Sequence, residues 1–133
     1  MTRNLLSSLQ AFEQAQQLLQ QVEAKAPVQG LPRCGFCLPP PEAGFVIHSG
    51  VYSGKGASSG LFWQATDSGF YLIQPLGQSN QARNMPQGQE VNLYRVTVVG
   101  RSGTGRSVLE SVLAQPVGPQ PAPARRILWR QRY

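Results

Sequence analysis

Acidic residues are scarce in this chain: six Asp and Glu stand against twelve Lys and Arg in 133 residues. Asp67 is the sole aspartate and His48 the sole histidine. Paired carboxylates for acid–base work, Ser-His-Asp relays and oxygen-rich metal sites all draw on residues that are hardly present. No two carboxylates lie close in sequence, and there is no Gly-x-Ser-x-Gly elbow. Long apolar runs are lacking too. None approaches the ~20 residues that span a bilayer, and no secretory apolar region is present. Charged residues make up only 14% of the chain, whereas Gly (14) and Pro (11) are plentiful. With clear apolar runs in between, that mix points to a β-rich, turn-rich fold of exported type rather than a disordered or charged helical chain.

The charge that is present is unevenly placed. Residues 1–82 balance Arg3, Lys25, Arg33 and Lys55 against Glu13, Glu23, Glu42 and Asp67. Residues 83–133 hold eight Arg against Glu90 and Glu110, and so carry the whole net charge of +6. A basic half of this kind suits nucleic acid, anionic headgroups or an acidic protein, or simply a well-solvated surface.

The pattern along the chain predicts a single α+β domain over residues 1–133. A helical spine spans 1–26, where Leu5, Phe12 and Leu19 recur every seven residues and Leu9, Ala15, Leu18 and Val22 widen the stripe. Pro27 ends it. Its start is poorly capped, which fits a helix cut from a longer chain and equally a soluble cytosolic chain that simply begins with a helix. Residues 27–44 form a Pro/Gly connector. Residues 45–133 form an antiparallel sheet of about four to five strands: a first strand from Phe45, a hairpin of "LFWQAT" and "GFYLIQPL", a polar loop over 77–90, then "VNLYRVTVVGR", "RSVLESVLAQ" and "RRILWRQRY". Tyr94, Val96 and Val98 share one face. Ile127 and Trp129 alternate with arginines and are expected to face the core with them.

Three motifs could carry chemistry. "GRSGTGRS" (Gly100–Ser107) matches G-x-x-x-x-G-K-[ST] except that Arg106 replaces Lys. A nucleotide cradle also needs a later carboxylate for the metal and a following parallel sheet, and only 26 residues remain. A β-hairpin with a glycine turn fits these residues without such demands. "CGFC" (Cys34–Cys37) is a C-x-x-C pair. Redox and zinc readings lack the strand–helix junction and the four ligands they require, so Cys34 and Cys37 are read as a local disulfide. Arg125, Arg126, Arg130 and Arg132 among Trp129 and Tyr133 could bind single strands of nucleic acid, but an inward Trp129 disfavours this and leaves the arginines guarding an edge strand. No cofactor and no metal site is expected.

The segments "NLYRVTVVGRSGTGRSVLESVLAQ" and "RRILWRQ", with the Pro-rich gap between them, resemble the C-terminal end of PilX-type minor pilins of type IV pili. The helix "LQAFEQAQQLLQQVEA" is similar to the segment that follows the membrane helix in that family. Together these cover about residues 4–26 and 90–133. The resemblance implies a pilin fold without its N-terminal membrane helix, and no catalysis. It implies a role in the tip and priming complex of the pilus, serving twitching motility and cell adhesion. The implied partners are other minor pilins, a PilY-type tip adhesin, the major pilin below, and the membrane through the missing helix. The implied location is the inner membrane and periplasm before assembly and the extracellular pilus tip after it. Leu5, Leu9, Phe12, Leu19 and Val22 would be the core and assembly stripe. Arg95, Arg101, Arg106, Arg126, Arg130 and Arg132 would be a partner surface. A type II secretion pseudopilin and a DNA-binding pilin are the alternatives.

Overall fold

The structure, a computed structural model, describes residues 2–25, 38–52, 56–82, 85–119 and 122–132, with residues 2–5 in backbone alone. Helix α1 (Thr2–Lys25) is followed by a 3-10 turn (Ala43–Phe45) and six strands. These are β1 (Gly50–Val51), β2 (Phe62–Thr66), β3 (Gly69–Ser79), β4 (Val91–Ser102), β5 (Gly105–Pro116) and β6 (Arg125–Gln131). They pair in chain order, all antiparallel, as one meander. The class is α+β as expected, but the strand count is six. The first strand is far shorter than its sequence suggested, because Phe45 belongs to the 3-10 turn and only Gly50–Val51 pair. Strand β3 runs on to Ser79 past a bulge between Pro75 and Gly77, into what the polar composition marks as a loop.

Helix α1 forms because Gln, Glu, Ala and Leu fill it and no Gly or Pro interrupts it. Its buried line is Ala11, Ala15, Leu18, Leu19 and Val22, packed on Val96, Val98, Leu109 and Leu113. Phe12 and Tyr94 pack partly buried at the margin. Leu9 is not in this line: it lies about 200° round the helix from Ala11 and is 54% exposed. The stripe read from the sequence therefore placed Ala15, Leu18, Leu19 and Val22 correctly and missed Ala11. The side chain of Leu5 lies outside the described residues.

Small residues matter because the helix backbone approaches the β4–β5 hairpin very closely. A Cβ on Gly100 would stand 2.4 Å from both the Ala11 carbonyl oxygen and the Ala15 nitrogen. A Cβ on Gly105 would stand 2.2 Å from the Ser7 carbonyl oxygen. Ser102 and Gly105 pair directly, so the turn is the two residues Gly103-Thr104, with Gly103 at φ +57°. The segment that resembled a phosphate loop is thus a hairpin. Two of its glycines let α1 lie on it and a third makes its turn.

The opposite face of the sheet is not solvent. Ala43, at the end of the connector, and Val46, just beyond it, pack there with Trp63, Phe70, Leu72, Val99 and Val108. Each fully buried large apolar side chain contributes about 1.5–3 kcal/mol, so this second layer rivals the first. Glu42 pins it. Its Oε1 accepts from the Ser59 N–H (2.9 Å), and its Oε2 accepts from the Ser59 hydroxyl (2.5 Å) and the Trp63 indole (3.0 Å). Arg106 reaches round to donate to the Gly44 carbonyl, and Gln74 donates to that of Leu38 (3.2 Å).

The pin carries a pH dependence. Burial acts to raise the Glu42 pKa, but hydrogen bonds from the Ser59 hydroxyl, its own N–H, the Trp63 indole and the Ser59 N–H outweigh it and hold the group below its ordinary 4.5. A depressed carboxylate stabilises fully above its unfolded pKa and ceases to do so as pH falls through the folded one. Trp63 fluorescence, read in a Trp129→Phe background, should hold steady from pH 7 to about 5. It should then report loosening below about 4.5, shifted away by Glu42→Gln.

Candidate functional site

The six arginines singled out in the sequence do not form one outward face. Alternate positions along β4 and β5 send Arg95, Thr97 and Glu110 to the face away from α1, since Thr97 pairs with Glu110 and Arg95 with Val112. Strand β6 adds Arg130 opposite Glu110. Glu110 is almost wholly buried and gathers three guanidinium groups. Arg130 Nε donates to its Oε1, while Arg132 Nη1 and Arg95 Nε stand 3.8 and 4.0 Å from its Oε2. Arg95 also donates to Gln74 Oε1 (3.3 Å). Burial pulls the Arg95 pKa down, Glu110 draws it up, and Arg130 and Arg132 push it down again, leaving it below the ordinary arginine range.

Arg126 lies on the other face and clamps the far end of α1. Its Nε and Nη2 donate to the two Glu23 oxygens at 2.8 and 2.6 Å, a two-pronged pair that raises the Arg126 pKa. Arg106 is spent on Gly44. Arg101 stays exposed and lines an open groove of about 310 Å³ between the β2–β3 and β4–β5 turns, with Asp67, Ser68 and Ser102. Of the expected partner surface, then, only Arg101 is presented outward without an internal task among the described residues.

Trp129 is another correction. It is 40% exposed rather than inside the core, and Ile127 is half-buried. A bulge between Val112 and Leu113 shifts the pairing so that Leu128 faces Val112 while Arg126 faces Leu113. The two-residue alternation read along β6 breaks at Ile127. Trp129 pairs with Ser111 on the α1 side, beyond the cover of the helix.

The start of α1 sits against this end of the sheet. The Ser102 hydroxyl donates to Gln10 Oε1 (2.8 Å), and Gly103 and Gly105 abut Ser7. Leu6 and Leu9 project from the same turns and are 55% and 54% exposed. His48 lies in a loop before β1, not in a strand. Its ring stacks on Tyr52 at 4.6 Å, and the Tyr52 hydroxyl accepts from the N–H groups of Ile47 and His48. Among the described residues no three His, Cys, Asp or Glu come together to hold a metal. Cys34 and Cys37 lie outside the described residues. Sequence reasoning missed Glu42, Gln74, Thr97 and the role of Glu110. The one available signal was that "VTVV" and "SVLESVL" are apolar on both alternating faces, as strands buried on both sides are.

Comparison of the chain with protein-family models, with curated proteins and with solved structures finds no match.

Proposed function

We propose that this chain is the globular part of a non-catalytic minor pilin, which joins the priming and tip complex of a type IV pilus and so serves twitching motility and adhesion. The observation that carries the reading is the placement of α1. It lies along the β4–β5 hairpin, the segment that resembles the PilX-type family, and its first turns hold Leu6 and Leu9 outward. Exposed apolar residues on a helix stripe are suited to pack on neighbouring subunits. Other minor pilins, the major pilin below and a PilY-type adhesin are the partners on this reading. Placement before assembly is at the inner membrane and periplasm, and at the pilus tip afterwards. The internal use of Arg106, Arg126 and Arg130 weighs against a DNA-binding face.

The test is genetic and biochemical together. Deleting the gene in its bacterial source should strip surface pili and twitching. Restoring it with Leu6→Glu and Leu9→Glu should fail to recover them, although the purified variant melts within about 1 °C of the parent, as exposed substitutions do. Normal piliation in the deletion strain would overturn the reading.

A further inference from the structure

We infer that the groove between the β2–β3 and β4–β5 turns is a self-complementary contact, through which two copies of this chain associate about a two-fold axis with each Arg101 meeting the other copy's Asp67. This stands independently of the pilin reading. The two turns lie side by side because Gly69 pairs with Gly100 and Ser102 with Gly105. The groove between them has a volume of about 310 Å³ and carries one charge of each sign. Asp67 and Arg101 both line it and both are exposed. Among the described residues the ion pairs are those of Glu23 and Glu110, and neither Asp67 nor Arg101 enters one. A small anion would be opposed by Asp67 and a small cation by Arg101, so neither suits the groove. A surface with one unanswered charge of each sign is its own complement. A closed two-fold contact sets each charge against its opposite.

A second observation points the same way. Arg101 stands directly opposite Arg106 across the hairpin. Like charges so placed are destabilising. Arg106 is held by the Gly44 carbonyl rather than by a carboxylate. Burial first, and then Arg101, push the Arg106 pKa down, against a weaker upward pull from Tyr52. A second copy's Asp67 supplies the carboxylate that these two arginines lack among the described residues of their own chain. Both charges also stand on fixed turns. The Thr66 hydroxyl accepts from the Ser68 N–H (3.2 Å) and donates to the Gly69 carbonyl (3.3 Å). A Cβ on Gly69 would stand 1.9 Å from the Val99 carbonyl oxygen, so the turn that carries Asp67 lies hard against β4. On the other side the Ser102 hydroxyl is tied to Gln10. Charges held in this way lose little freedom on contact.

The test is sedimentation velocity of the purified chain over a concentration series. At about 20 mM salt a monomer–dimer equilibrium is expected, weakened roughly tenfold or more at about 500 mM salt, where exposed charges are screened. Arg101→Asp and Asp67→Arg should each abolish the dimer, because each sets like charges across the axis. Mixing these two variants should restore a dimer with one copy of each, and the double exchange in a single chain should restore the dimer of like copies. Both positions are exposed, so the variants should melt within about 2 °C of the parent. If a reversal does not fold, the milder Arg101→Gln and Asp67→Asn, each weakening the parent dimer, decide the matter. A chain that stays monomeric at about 1 mM in low salt, or a dimer indifferent to every one of these substitutions, would overturn the inference.

Discussion

Gly100→Ala and Gly105→Ala are each expected to lower stability by about 1–3 kcal/mol, and Gly100→Val by more, in urea unfolding with an unchanged slope. Alanine normally gains over glycine by restricting the unfolded chain. Here that gain is overwhelmed, because the new methyl meets helix backbone rather than a side chain that can turn aside. The contacts would be 2.4 Å to Ala11 and Ala15, and 2.2 Å to Ser7. The helix must lift off the hairpin, and Leu18, Leu19 and Val22 lose contact with Val96, Val98 and Leu109 as it does. Gly118, where an added methyl would meet nothing within 4 Å, is the control. Gly118→Ala should stay within about 0.5 kcal/mol of the parent. Equal effects at all three glycines would mean that close helix approach is not what the motif provides.

Trp63→Ala should cost about 3–5 kcal/mol, the range for emptying a large buried aromatic site. Trp63 is the largest fully buried side chain, and it holds Ala43, Val46 and Phe70 on the far face. Glu42→Ala should cost roughly 2–3 kcal/mol, because the Trp63 indole and the Ser59 N–H and hydroxyl would lose their acceptor together. The two changes touch one network, so the double variant should lose clearly less than the sum. Strict additivity in urea unfolding would show that Glu42 and Trp63 act separately.

The sequence disclosed one side of this molecule well. Helical spacing marked Leu19 and Val22, alternation marked Val96 and Val98, and both meet in the first core. The hairpin nature of Val98–Ser111 was legible because the acids and the length that a nucleotide fold demands are missing. The far side was opaque. Trp63 and Phe70 look like any strand residues until the stretch around Ala43 is seen to cover them. Nothing local says that a glutamate after three prolines will travel to a tryptophan 21 positions on. The β6 error has a different origin. Alternation is reliable only while pairing is regular, and one bulge at Val112/Leu113 brings Arg126 onto the same face as Trp129, which lacks the helix cover. The arginines were hard to read for a third reason: a surplus of arginine does not reveal which arginines are used inside.

The docking of α1 also sets an order of events in synthesis. The strands of the meander meet their immediate neighbours, but α1 rests on β4 and β5 and is clamped by Arg126, 103 residues beyond Glu23. The helix is made before the sheet, and both strands that its apolar stripe covers are complete only once roughly 90 more residues have emerged. At translation rates of about 5–20 residues per second, that is a delay on the order of 10 s. Throughout it the nascent chain carries an amphipathic helix with an open face, and closing it is a long-range step that local strand pairing cannot hasten. The same distance in sequence makes the helix a reporter of completion: protection of the Ala15 and Leu19 amides would appear only once β5 is in place.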